Sequence, residues 1–326
     1  MNRTPSRRAL LCAAALTALA ASGIAQAQTD FPNRPVTFVV PFAAGSATDQ
    51  LARALGQSLT EQTGQPVVVE NKAGASGMLA AQQVARAPAD GYSVLITTNT
   101  TQAANPHLYK KLPYHPVKDF APVSGLGKGG QVLVVKADAP YTSVGELLAA
   151  ARKAPGTLSF GSGSSSSRVA GELFQQMAGV QLLHVPYKSN PLAITDLLGG
   201  QINLMFADAS TGVPQVQAGK LRALGVTPTR RMAVLPEVPT IDEAGVKGYD
   251  MGYWFGAYVV AGSPAAAVDR LNGVFAKALG TAPLQAFFAK SAGVPFPTSP
   301  AELAAFQAAE TEKWGRVIRA AGIQAE

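Results

Sequence analysis

The stretch VTFVVPFAAGSATDQLARAL, residues 36–55, decides the fold class of this chain. Its first part, Val36–Val40, is apolar and mostly β-branched, which is typical of a buried strand. Pro41 ends that run, and a loop of small residues leads to a helix predicted over Thr48–Gln62, whose leucines recur every four residues. Because the first turn of a helix carries unpaired N–H groups and a partial positive charge, this strand, loop and helix start together predict an anion-binding loop.

A second stretch of the same kind lies at residues 158–174, LSFGSGSSSSRVAGELF. Its serines have the composition of a flexible linker, but they follow a short strand and precede a good helix, so we interpret them as a ligand-binding loop. Several hydroxyls and free N–H groups there match the needs of a carboxylate. A third small-residue loop, Asn71–Gly77, precedes another predicted helix. Repeated loops of this kind indicate a ligand held from both sides.

Along residues 36–321, nine strand-like runs alternate with eight helix-like runs. This rhythm predicts an α/β fold with largely parallel sheets covered by helices. Parallel sheets bind ligands beyond the carboxyl ends of their strands, which is where the small-residue loops lie. We predict two lobes with a ligand cleft between them: residues 28–130 and 251–326 form the first lobe, and residues 131–250 form the second. The return of residues 251–326 to the first lobe is a hypothesis, because periodicity does not show which lobe they join.

Residues 1–27 have the composition of a signal peptide. Three arginines precede a short apolar run, Ala9–Ala21, which is too short to span a bilayer, and an A-x-A motif predicts cleavage after Ala27. A twin-arginine pattern at residues 6–11 leaves the export route open, but both routes predict a periplasmic protein. The one cysteine, Cys12, lies in this segment, so we expect the mature protein to have no disulfide and no thiol nucleophile.

The composition argues against several function classes. The chain carries 27 basic and 20 acidic residues, and removing the three arginines of the signal peptide leaves 24 basic residues and a net charge of +4. These basic residues are scattered, which argues against nucleic-acid binding. No residues have the spacing of metal ligands, and no cofactor is expected. The GLGKGG run at residues 125–130 matches a dinucleotide-binding motif, but a strand-like run follows it, so we predict a flexible loop between the lobes.

Candidate ligand-binding residues lie in these loops and at the ends of the predicted strands. Asp49 follows Ser46 by three residues, which predicts a capping box, and its negative charge makes it an unfavourable direct ligand for an anion, although it could order water or accept a hydrogen bond from the ligand. Arg168 either points to the ligand or pairs with Glu172 one turn later, and the pattern leaves both open. The full candidate set is Phe42, Ala43, Gly45, Ser46, Asp49, Ala75, Thr98, Asn99, Ser162, Ser164, Ser165, Ser166, Arg168, Tyr187 and Asp208.

Phrases spread over nearly the whole mature sequence point to one family. They include FPNRPVTFVVPFAAGSATDQLAR (31–53), ADGYSVLITTNT (89–100) and VPYKSNPLAITDLLGGQINLMF (185–206). In content and in order, these phrases resemble the extracytoplasmic substrate-binding receptors of tripartite tricarboxylate transporters, also called Bug receptors.

This resemblance implies a type II periplasmic-binding-protein fold, with two α/β lobes that close on a small ligand, and no catalytic activity. It implies that the loops at 42–49 and 162–168 bind a carboxylate, partly through ordered water. The implied ligands are organic acids (di- and tricarboxylates, acidic amino acids or aromatic acids), the implied partners are the membrane subunits of the transporter, and we expect a monomer. Ser46 stands where the family usually has glycine and Arg168 where it often has histidine, so the choice of acid stays open.

Two other functions stay open on the residues alone. A secreted serine hydrolase would need a base beside a loop serine, and His184 is the nearest histidine in the sequence. A ligand-sensing partner of a membrane sensor would use the same cleft, so the sequence does not separate it from a transport receptor.

Overall fold

The computed structural model describes residues 31–326 and contains two β-sheets, each with its own helices. The predicted signal peptide and its cleavage site lie outside the described residues. The strands are β1 Val36–Val40, β2 Val67–Asn71, β3 Ser93–Thr98, β4 Phe120–Gly129, β5 Gln131–Lys136, β6 Ser159–Ser162, β7 Leu183–Pro186, β8 Leu204–Asp208, β9 Leu221–Val226, β10 Tyr253–Val260 and β11 Val294–Pro295. The α-helices are α1 Ala47–Thr63, α2 Met78–Ala85, α3 Asn105–Leu108, α4 Val144–Lys153, α5 Ser165–Ala178, α6 Asn190–Leu198, α7 Ala209–Gln217, α8 Ala265–Leu279, α9 Ala282–Lys290 and α10 Pro300–Ala320.

The first lobe is built on a sheet with the strand order β11-β4-β10-β3-β1-β2, and the second on a sheet with the order β7-β6-β8-β5-β9. This two-lobe α/β architecture confirms the predicted fold class. The chain leaves the first sheet after β4, forms the whole second sheet, and returns as β10 between β3 and β4. The division of the chain at residues 130 and 250 stays a prediction, although the pairing of β10 agrees with the expected return.

Both sheets are mixed, so the expectation of largely parallel sheets is wrong. In the first sheet β1 pairs parallel to β2 and β3, but β10 runs antiparallel to both of its neighbours. In the second sheet β6 is parallel to β7 and β8, and β5 is antiparallel to β8 and β9. The antiparallel strands β5 and β10 each arrive directly from the other lobe, so no crossover helix imposes a parallel direction on them.

The local structure of the opening stretch follows from its side chains. Ser46 caps α1, because its Oγ accepts a hydrogen bond of 3.3 Å from the N–H of Asp49. The leucines of α1, spaced four residues apart, are fully buried and pack on the sheet. Gly64 ends the helix in the left-handed conformation, with φ of 71°. The loop at 41–46 is therefore fixed between a buried strand and a capped helix.

The glycine-rich run at 125–130 is mostly strand, so the predicted flexible loop between the lobes is wrong. Residues 125–129 belong to β4, and Gly130 alone separates that strand from β5. A Cβ on Gly127 would lie 2.4 Å from a ring carbon of Phe288, and one on Gly129 would lie 2.6 Å from the ring of Tyr253. These glycines let aromatic rings pack directly on the strand backbone, which composition alone does not reveal.

The two connections between the lobes lie side by side and are joined through Thr227, which directly follows β9 in the second lobe. The N–H of Gln131 donates to Thr227 Oγ1 at 2.8 Å, and the N–H of Thr227 donates to the carbonyl of Gln131 at 2.9 Å. The N–H of Met251, on the returning connection, donates to the carbonyl of Thr227 at 3.1 Å. Gln131 and Thr227 are both fully buried.

Replacing Gly163 by alanine is expected to destabilise the second lobe. A Cβ on Gly163 would lie 2.1 Å from the backbone nitrogen of Asn190 and 2.1 Å from the carbonyl carbon of Ser189, so backbone has to move. We expect a loss of about 1–3 kcal/mol in the free energy of unfolding, measured by urea denaturation. The matched control is Gly145→Ala in α4, where only Ser143 Oγ lies near the added atom; there we expect a gain of roughly 0.5–1 kcal/mol. Equal stability of the two variants would contradict the close approach at Gly163.

Candidate functional site

A cavity of about 340 Å³ lies between the lobes, at the carboxyl ends of β1 and β6. This volume falls within the range of small-molecule sites. The first lobe lines it with Phe42, Ala75, Ser76, Gly77 and Tyr109, together with Glu326. The second lobe lines it with Ser162, Gly163, Ser164, Ser165, Arg168, His184, Pro186, Tyr187 and Lys188.

A small extension of about 10 Å³ is lined by residues of both lobes at the inner end of the 41–46 loop. Its lining residues are Phe42, Ser46, Thr48, Thr98, Gly163, Ser164, Asn190, Asp208 and Tyr253. Phe42, Gly163 and Ser164 line both spaces, so the extension continues the main cavity.

The serines of the second-lobe loop divide into two roles. Ser164 caps α5: its Oγ accepts from the N–H of Ser167 at 3.2 Å, and Ser167 Oγ accepts from the N–H of Ser164 at 3.2 Å. The next two serines reach the first lobe instead. Ser165 Oγ donates to Asn105 Oδ1 at 3.0 Å, and Asn99 Nδ2 donates to Ser166 Oγ at 2.8 Å. Predicted residues Asn99 and Ser166 therefore bond to each other across the cleft and do not line the cavity.

Asp49 holds the first-lobe loop together. Its carboxylate accepts from the N–H of Gly45 at 2.8 Å, from Asn71 Nδ2 at 3.0 Å and from Arg53 Nε at 3.1 Å. Burial by itself raises the pKa of Asp49, but these hydrogen bonds and the charge of Arg53 together lower it below its ordinary value. Both oxygens are occupied inside the protein, so Asp49 has a structural role rather than a place in the cavity.

The predicted capping box at this helix is half right. Ser46 accepts the hydrogen bond from Asp49 as expected, but the Asp49 carboxylate turns back to the N–H of Gly45 instead of the N–H of Ser46. The N–H of Ser46 donates to the carbonyl of Ala43 at 3.1 Å. Gly45, with φ of 81°, allows this tight turn, and the predicted residues Ala43 and Gly45 shape the loop without lining the cavity.

Arg168 faces the cavity and pairs across it. Its Nη2 lies 2.7 Å from Glu326 Oε1, and its Nε is buried without a hydrogen-bond partner among residues 31–326. The alternative that Arg168 pairs with Glu172 is wrong, because the Glu172 carboxylate accepts from the Gln175 side chain instead. Burial raises the pKa of Glu172, and that hydrogen bond and the charge of Arg168 only partly offset it.

Ser162 and His184 form the one serine–histidine contact of the cavity wall, with Ser162 Oγ 2.7 Å from His184 Nε2. Burial, together with the nearby charge of Arg168, lowers the pKa of His184 to about 4. The imidazole is therefore neutral at pH 7 and a weak base. Within the described chain, no carboxylate hydrogen-bonds its other nitrogen, so the orienting group of a catalytic triad is missing.

Tyr187 and Asp208 lie at strand ends, as predicted, and both reach the site. Tyr187 OH donates to Asp196 Oδ2 at 2.8 Å, and burial and that carboxylate raise the pKa of the phenol to about 12. Burial raises the pKa of Asp208 to about 7, and the side chains of Gln131, whose Nε2 is 3.5 Å away, and of Asn190 offset part of this rise. Asp208 therefore titrates near neutral pH at the inner end of the cleft.

The structure brings ten of the predicted residues to one site. The main cavity or its extension is lined by Phe42, Ser46, Ala75, Thr98, Ser162, Ser164, Ser165, Arg168, Tyr187 and Asp208. Sequence reasoning missed Tyr109, Lys188, Glu326 and the site role of His184. Lys188 directly follows the predicted residue Tyr187 and could have been included on that signal, whereas Glu326 has no local signal. Among residues 31–326, no three His, Cys, Asp or Glu side chains cluster as a metal site would require.

None of the helices among these residues combines the length and apolarity needed to cross a bilayer.

The aromatic stretch at 253–255 belongs to the hydrophobic core, since its three side chains are each at most 5% exposed. Of the three, Tyr253 alone also lines the extension of the cavity.

Comparison with known proteins identifies a matching family and related solved structures. Residues 51–323 match the model of the family described as tripartite tricarboxylate transporter family receptor. A protein from the tcbD-tcbE intergenic region of Pseudomonas sp. is 39% identical over 320 residues, which cover 96% of this chain and 94% of that protein.

Solved structures share both the fold and the sequence. An R. palustris protein solved with adipate has a TM-score of 0.88 and 36% identity, covering 91% of this chain and 100% of that one. The periplasmic binding protein BugD has a TM-score of 0.87 and 33% identity, with the same coverage. MatC from Rhodopseudomonas palustris, solved with bound malate, has a TM-score of 0.84 and 31% identity, covering 88% of this chain and 100% of that one. The matched family is one of transporter receptors and BugD is a periplasmic binding protein, which confirms the expectation that the chain is not an enzyme.

We expect His184 to make the protein less stable in mild acid. Its folded pKa of about 4 lies below the ordinary value of 6.5, so the stability it contributes is present above pH 6.5 and is lost as the pH falls toward 4. Between pH 7 and pH 4.5, wild type is expected to lose on the order of 2 kcal/mol relative to His184→Gln, measured by urea unfolding at each pH. The control is His115→Gln, which replaces an exposed histidine. An equal pH response of the two variants would show that burial of His184 is not the cause.

Proposed function

Because the chain belongs to the tripartite tricarboxylate transporter receptor family, we propose that it captures a small organic carboxylate between its lobes and delivers it to the membrane subunits of such a transporter. The observation that carries the choice of ligand is Arg168. Its guanidinium faces a cavity of ligand size, and its Nε is a buried donor with no acceptor among the described residues. A carboxylate is the ligand that such a donor favours.

The surroundings of Arg168 support the same ligand class. Ser164 and Ser165 place the start of α5 at the cavity wall, where helix N–H groups and the helix dipole favour an anion. Lys188 adds a second cationic side chain to the lining. A micromolar site needs about −8 kcal/mol, and charge-assisted hydrogen bonds contribute roughly 1.5–3 kcal/mol each before the ordering cost of closure. Four to six such bonds therefore suffice.

Relatives narrow the class of acid. The two solved relatives named with a ligand carry adipate and malate, which are both dicarboxylates. We extend this to the present chain as a preference for aliphatic acids over aromatic acids. The binding role of the ten predicted residues that line the cavity or its extension, the export of the chain to the periplasm with cleavage after Ala27, and a monomeric state belong to the same proposal.

A thermal-shift screen tests the proposal directly. Mature protein, residues 28–326, is screened against dicarboxylates, tricarboxylates, acidic amino acids and aromatic acids, each beside its neutral amide. At 100 times its dissociation constant a ligand adds about 2.7 kcal/mol of stability, which raises the melting temperature by several degrees. Amides are expected to give no shift. A panel in which no acid shifts the melting temperature would contradict a carboxylate receptor.

Ser46→Asp is expected to weaken binding of the acid by about tenfold or more, because it places a negative charge at the cavity extension beside the helix start. Aspartate is a good helix cap, so α1 should remain intact. The matched control is Ser46→Asn, an equally good cap of similar size without charge. Calorimetry should show a loss of affinity in the aspartate variant that the asparagine variant does not share. Equal affinities in the two variants would remove the 41–46 loop from the binding site.

A further inference from the structure

We propose that Glu326 determines which acids the cleft accepts, by neutralising Arg168 and so disfavouring ligands with a second carboxylate at that end of the cavity. This inference rests on the proposed function, since it concerns the choice among carboxylates. It assigns a specificity role to a residue far in sequence from every predicted ligand-binding loop.

Two backbone hydrogen bonds fix the position of Glu326. Its N–H donates to the carbonyl of Leu108 at 2.9 Å, and its backbone oxygen accepts from the N–H of Lys110 at 2.8 Å. These bonds fix residue 326 to the segment after α3 in the first lobe. Neither bond uses the side chain, so the carboxylate is free to face the cleft, where it lines the same cavity as Arg168.

The contact between the two side chains crosses from one lobe to the other. Arg168 lies in the first turn of α5, in the second lobe, and its Nη2 is 2.7 Å from Glu326 Oε1. The two partners differ in exposure: the Arg168 side chain is 18% exposed and that of Glu326 is 59% exposed. A ligand can therefore replace the more exposed carboxylate while the arginine stays in the wall.

The charge balance of the cavity gives the direction of the effect. Arg168 and Lys188 are its cationic side chains, and Glu326 is the carboxylate among the lining residues of the main cavity. While Glu326 pairs with Arg168, a ligand with one carboxylate can use Lys188 and the start of α5. A second carboxylate at the Arg168 end meets the negative charge of Glu326 and has to displace it, which lowers the affinity of the diacid.

The test compares acids that differ by one charge at constant length. Calorimetry measures the dissociation constants of adipate and its monoamide, and of malate and its monoamide, with wild type and with Glu326→Gln. We expect Glu326→Gln to improve the affinity of the diacid relative to its half-neutralised partner by about tenfold. Glu312→Gln is the matched control, because Glu312 is an exposed residue of α10 and its loss changes the net charge equally.

A double-mutant cycle with Arg168→Gln shows whether the effect passes through the arginine. In the Arg168→Gln background, Glu326→Gln is expected to change the preference by less than twofold, since no guanidinium remains to be freed. Circular dichroism and the urea midpoint verify that each variant is folded.

The remaining outcomes separate the two proposals. An unchanged preference in Glu326→Gln, or an equal change in Glu312→Gln, overturns the role of Glu326 and leaves the receptor function standing. The role of Glu326 is likewise overturned if wild type binds other acids of the panel but neither of the two diacids nor their half-neutralised partners, and Glu326→Gln also binds none of these four compounds. A protein that binds no acid of the panel in either form overturns both proposals.

Discussion

The buried carboxylate of Asp49 is the interaction on which the first half of the cleft depends. A charge removed from water is costly unless it is paired and hydrogen-bonded, and Asp49 meets this requirement with donors from three separate elements. Gly45 comes from the loop, Arg53 from α1 and Asn71 from the end of β2. These donors bind the strand, loop, helix and neighbouring strand to one another. Of the loop side chains that face the cleft, that of Phe42 takes no part in these bonds, whereas Ser46 also caps α1.

In the second lobe, neutral groups rather than a buried charge hold the binding loop in place. Ser164 and Ser167 satisfy the start of α5 between themselves, and the close approach of Gly163 to the backbone at 189–190 fixes the loop before it. Ser165 and Ser166 then bond to asparagines of the first lobe. The serine run therefore does three things at once: it caps a helix, it joins the lobes and it lines the cavity. Its composition suggests only the last of these.

Much of the fold follows from local pattern. The strands Val36–Val40 and Leu221–Val226 have the bounds that their apolar, β-branched runs predict, and α1 differs from its predicted bounds by one residue at each end. What pattern misses depends on distant partners. The glycines of β4 make the strand hard to predict from the sequence, because their lack of a side chain lets the rings of Phe288 and Tyr253 pack on the strand backbone. The helix α7 begins directly at the end of β8 without a separating loop. The loop residues of the site were predictable because they follow strand ends in the local sequence. The partner of Arg168 was not predictable, because Glu326 lies 158 positions further along the chain.

The paired connections between the lobes set how the cleft can move. Gln131 at the first connection and Met251 at the returning one each bond to Thr227, which follows β9. The strands β4 and β10 also pair edge to edge as far as Gly129 and Tyr253, so bending across the two connections is easier than twisting each of them separately. The hydroxyls and amides that face each other across the cleft then return to the same alignment each time, without any contact having to guide them.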